Sequence, residues 1–125
     1  MNESDKHAEP TAGTLAQQSF ARFIEALRHI TRFMTDPLLE HPLEAAVQRI
    51  EANPAFTQYR LLTRLLAAMP GQQGEFRIEE ASAFDRDTLA VILSLIHIHN
   101  AGTAPAADWE RAINRAVSAQ MAFNA

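Results

Sequence analysis

Residues 93–102 read "LSLIHIHNAG" and pose the first structural choice in the chain. His97 and His99 stand one residue apart at the end of an apolar run. On a β-strand both would point the same way, as a shared metal requires. Val91, Ile92, Ile96 and Ile98 are β-branched and suit a strand. The flanks favour a helix. Asp85 is an N-cap residue, Asn100 and Gly102 are helix-ending residues, and the intervening span, residues 86–101, is too long for an ordinary strand. Residues two apart on a helix diverge by about 200°. His97 and His99 then flank opposite sides of a face made by Leu89, Ile92, Leu93 and Ile96, and a joint metal site is not expected. Val91, Leu95 and Ile98 occupy the other face, so this helix is apolar nearly all round and belongs at the centre of the fold.

Working outward, the rest of the chain follows the helical period. Thr14 and Gln17 form a capping-box signature. Phe20, Phe23, Leu27, Ile30 and Met34 then recur every three or four residues, which predicts a first helix from Leu15 to Thr35, stopping before Pro37. Pro42 opens a second helix with Leu43, Val47 and Ile50 inward. Asn53 and Pro54 read as the cap and first residue of a third helix, whose seam is Ala55, Tyr59, Leu62, Leu66 and Met69. Pro70 and Gly71 end it. In residues 74–80, Phe76 and Ile78 alternate with charges and permit a short extended piece. Pro105 opens the last helix, with Trp109, Ala112, Ile113, Ala116 and Val117 inward. The expectation is an all-α, single-domain bundle of about five helices spanning residues 14–125, with residues 86–101 as its buried central helix. Residues 1–13 are polar and aperiodic and read as a disordered tail.

Composition narrows the function classes. The chain has 125 residues, a length that suits one domain. It has no cysteine, which excludes disulfides, thiolate metal sites and thiol nucleophiles and fits a reducing compartment. A net charge of -4 does not indicate general nucleic-acid binding. The polar N-terminus lacks the apolar core of a signal peptide, and Leu89–Ile98 is about half the length of a membrane helix, so a cytoplasmic protein with no membrane partner is expected. Of the basic residues only Lys6 is lysine, which suggests a GC-rich bacterial source. Phosphate loops and nucleophile motifs are absent from the sequence, and no cofactor is expected.

Three functional readings follow. The first is a small bacterial helical protein acting by protein–protein contact, as an adaptor, accessory or immunity-type factor, with a homodimer among the options. Its interface residues would be Phe33, Met121 and Phe123. The second is a DNA-binding regulator using the second and third helices, with Arg60 and Arg64 contacting the nucleic acid beside Thr57 and Gln58. The third is a small enzyme or metal-binding protein with a site near His41 and Glu44. His29, Asp36 and Glu40 fall in the same part of the chain, but without a recognised ligand spacing.

Overall fold

Side-chain caps mark the starts of two of the five α-helices among the described residues. The structure, a computed structural model, describes residues 13–124; the expected tail lies outside the described residues except for Gly13. The helices are α1 (Leu15–Ile30), α2 (Pro42–Ala52), α3 (Thr57–Ala68), α4 (Arg86–Ala101) and α5 (Ala106–Asn124), with a 3-10 helix at Ile78–Ala83. No strand occurs among the described residues, which form an all-α bundle. Thr14 accepts from the Gln17 amide at 3.1 Å while the Gln17 side chain accepts from the Thr14 amide at 2.8 Å. Each satisfies an orphan donor at the start of α1. Asp85 caps α4 by accepting from the Thr88 amide at 2.9 Å, and Gly102 closes α4 in the left-handed conformation, φ 65°.

Several expectations need correction. α1 ends at Ile30, five residues before the expected end: the backbone bonds tighten to three-residue spacing, from the Arg32 amide to the His29 carbonyl at 3.4 Å and from the Met34 amide to the Thr31 carbonyl at 2.9 Å, and the chain leaves through a turn at residues 31–33. The early exit lets residues 34–39 run along α4. Asp36 pairs with Arg86 at 2.8 Å, and the Leu39 amide donates to Ser94 Oγ at 2.8 Å. α3 starts at Thr57 rather than Pro54, because the Phe56 amide bonds the Asn53 carbonyl at 3.1 Å and makes residues 53–56 a separate turn. Residues 74–77 lie outside any helix, as the alternation permitted, with Ile78 opening the 3-10 helix; Ile30, Ala55 and Val117 lie near the surface instead of inward.

Residues 73–77 form a strap across α1. Ser19 Oγ accepts from the Phe76 amide at 2.9 Å and donates to the Phe76 carbonyl at 3.0 Å, and the Gly74 amide donates to the Ala16 carbonyl at 3.1 Å. The Phe76 ring stacks on Phe23 at 4.6 Å and meets Phe20 edge-on at 6.1 Å. Such pairs add about 0.5–1.5 kcal/mol each beyond simple area burial. The core joins Phe20, Phe23 and Leu27 of α1 to Val47 and Ile50 of α2, with Leu62, Leu65 and Leu66 of α3 and Val91, Ile92 and Leu95 of α4. α4 is buried on both faces, as its sequence implied, and the shorter α3 has as many buried residues and is buried at least as widely.

The pairings fix direction. Gln58 meets Asp85 where α3 and α4 both begin, and Gln72 approaches His99 near where both end. α1 starts beside the second of these levels, at Gly74, and finishes beside the first, near the Asp36–Arg86 pair. Residues 41 and 105 adjoin a common cleft, and Glu51 meets Arg115 further along, so α2 and α5 run parallel to α1. One end of the bundle, the lower end, therefore carries the last turns of α1, α2 and α5 and the first turns of α3 and α4.

Candidate functional site

The aromatic side chains that the core does not absorb gather at that lower end. Phe33 follows the last turn of α1 and is 83% exposed, with the Arg32 guanidinium 4.7 Å above its ring. Phe56, in the turn before α3, is 49% exposed and touches Tyr59 at 5.4 Å. Met121 and Phe123, in the last turn and a half of α5, are 67% and 54% exposed. Phe123 borders a shallow depression shared with Pro54 and Glu51, which places it beside the turn that carries Phe56. Helix ends explain the arrangement. Each of these residues sits in or next to a terminal turn, beyond the reach of the neighbouring helix that would otherwise cover it. Phe33, Met121 and Phe123 thus share one end of the molecule, and Phe56 joins them.

The pair Arg60 and Arg64 has a different setting. Arg64 donates to Glu80 Oε2 at 2.9 Å and to the Glu75 carbonyl at 2.6 Å, and its guanidinium lies 5.1 Å from the Phe76 ring centre. It anchors the strap to α3. Gln58 is buried and exchanges two hydrogen bonds with Asp85, at 2.9 and 3.0 Å. Of the polar face Thr57, Gln58, Arg60 and Arg64, the first and third point outward and the other two are engaged within the fold.

His41 and Glu44 border a cleft of about 470 Å³ between the starts of α2 and α5, floored by Val47 and Ile98. Its charges neutralise one another. Arg115 reaches Glu44 at 2.8 Å and Glu51 at 2.9 Å, Arg111 pairs with Asp108, and His41 Nε2 lies 3.9 Å from Glu40. The Arg115 hydrogen bonds hold the Glu44 carboxyl below its ordinary pKa, toward the charged form. Asp36 is drawn away to Arg86. No group of three or more histidines and carboxylates able to hold a metal converges among the described residues.

The two histidines of the opening stretch separate as helical geometry requires. His97 is exposed, while His99 is half-buried with its ring edge-on to Trp109 at 5.7 Å. His99 and Trp109 border a second cleft, about 630 Å³, between the ends of α3 and α4 and the first turns of α5. This cleft escaped the sequence reading. Its residues come from three helices, and the only local sign was a tryptophan placed where the last helix begins. Compared with protein-family models, with curated proteins and with solved structures, the chain matches none of them.

Proposed function

We propose that the protein works by contact with another protein, as an adaptor, accessory or immunity-type factor, and that the lower end of the bundle is its contact surface. The observation that carries this reading is the gathering of Phe33, Phe56, Met121 and Phe123 at one end with their side chains about half exposed or more. Burying a large apolar side chain stabilises by about 1.5–3 kcal/mol. Four left outside the core therefore represent a substantial driving force for association. Interfaces concentrate this driving force in a few aromatic anchors, and phenylalanine and methionine are enriched there. The DNA-regulator reading is disfavoured by the internal engagement of Arg64 and Gln58, and the enzyme reading near His41 by the mutual pairing of the charges around that cleft. A bacterial, cytoplasmic setting belongs to the same proposal, on the arginine-rich, cysteine-free composition.

Affinity capture from a lysate of the source cells tests it. The wild-type chain is expected to retain a specific protein that a Phe33→Ala, Met121→Ala, Phe123→Ala triple variant retains about tenfold less or worse. Identical retention by the two chains would sink the assignment of this surface.

A further inference from the structure

The cleft at the upper end of the bundle has a matching occupant on the chain itself. Its walls are Ala67, Ile98, Trp109 and Ile113, with His99 and Glu110 at the polar edge and a volume of about 630 Å³. That volume lies within the range of ordinary ligand sites and holds a benzyl group with room for its neighbours. The cleft also sits where α3 and α4 end. The C-termini of α3 and α4 carry partial negative charge, the start of α5 opposes it with partial positive charge, and the Glu110 carboxylate tips the rim to net negative. The site therefore suits an apolar side chain accompanied by cations.

At the opposite end, Phe33 is such a group. It is the most exposed large apolar residue among the described residues, Arg32 lies over its ring, and Arg28 is exposed one turn back on α1. Neither guanidinium has an ion pair among the described residues. We infer that Phe33 of one copy seats in the Trp109–His99 cleft of a second copy, with Arg32 facing Glu110. This rests on the contact reading above and names the second copy as one partner of the aromatic end. Knob and cleft lie at opposite ends, so the contact is head-to-tail. It extends into chains, closes into rings, or is made twice in an antiparallel two-fold pair in which the knob of each copy enters the cleft of the other.

Trp109 is the only tryptophan in the chain and borders the cleft; because its side chain is already buried, its emission serves as a secondary reporter beside the mass. Sedimentation and Trp109 fluorescence are measured together from micromolar to millimolar protein. The expected mass climbs to at least twice the 13.9 kDa monomer, and any change in tryptophan emission follows the same concentrations. Phe33→Ala and Glu110→Arg should each weaken association about tenfold or more, the loss typical of an interface anchor. An equimolar mixture of the two variants is the decisive arm. The intact knob of Glu110→Arg fits the intact cleft of Phe33→Ala, so the mixture should recover one-to-one pairs and stop there. That recovery also establishes that both variants are folded. A wild-type chain that stays monomeric overturns the inference, as do variants that associate like the wild type or a mixture that forms no pairs. If the chain is monomeric but still captures a different protein in a Phe33-dependent way, the proposed function stands and only the self-association falls. A captured protein lost on Glu110→Arg would give the cleft to that partner instead.

Discussion

Ser19 shows how much one hydroxyl holds in place. Both of its hydrogen bonds go to Phe76, 57 residues away, and they tie the strap to α1. Ser19→Ala leaves a partly buried amide and carbonyl without that partner, so the unfolding free energy should fall by about 1–2 kcal/mol in urea titration. Ser82, whose hydroxyl bonds only the Glu79 carbonyl at an exposed site, should tolerate alanine within about 0.5 kcal/mol. Asp85 is a second single-residue test. The backbone amide of Thr88, and after it the Gln58 side chain, hold its carboxyl below the ordinary value of 3.8. A carboxyl whose folded pKa is depressed gives stability that is complete above the unfolded value and disappears as pH falls through the folded one. Asp85→Ala should therefore cost about 1 kcal/mol near neutrality, and the difference from wild type should shrink below about pH 4 in pH-dependent denaturation. The caps Thr14, Asp85 and Gly102 were legible because capping involves residues within one turn of each other. The Ser19–Phe76 bonds were not, since nothing local to either residue encodes a partner so distant.

At the scale of elements, α4 was readable and the end of α1 and the start of α3 were not, for a common reason. Periodicity records which residues could share a face. It does not record where the backbone leaves the helix. Met34 continues the seam of α1 and is half-buried, yet it lies beyond the Thr31 turn and reaches the core from the connecting segment. Likewise Asn53-Pro54 has the composition of a helix start, but its bonds close a separate turn first. Two glycines test the element boundaries. A Cβ on Gly102 meets nothing within 4 Å, so Gly102→Ala isolates the left-handed backbone at φ 65° and should cost about 1 kcal/mol in thermal unfolding. A Cβ on Gly74 would stand 3.1 Å from the Ala68 Cβ and 2.9 Å from the Phe76 ring. Gly74→Ala should push Phe76 off Phe23. Amide hydrogen exchange should then be faster in α1 and the strap, with little change in α5.

For the whole molecule, the way the connections run decides where function can reside. Residues 34–39 climb along α4 and the strap crosses α1, and the phenylalanines left outside the core lie at the lower end, while Leu15 and Leu38 are exposed away from it. The sequence carried this only as a surplus of aromatic and thioether side chains near helix termini. Their convergence on one end depends on α1, α2 and α5 running in the same direction, which no single segment encodes. The contact reading stands on that convergence. A photo-reactive benzoylphenylalanine placed in turn at Phe33, Phe123 and, as a control, the exposed Arg22 of α1 tests it most directly in the source cells. Discrete cross-linked species from Phe33 and Phe123, with none from Arg22, are the predicted result; no cross-link at either phenylalanine, or the same species from all three positions, would contradict it.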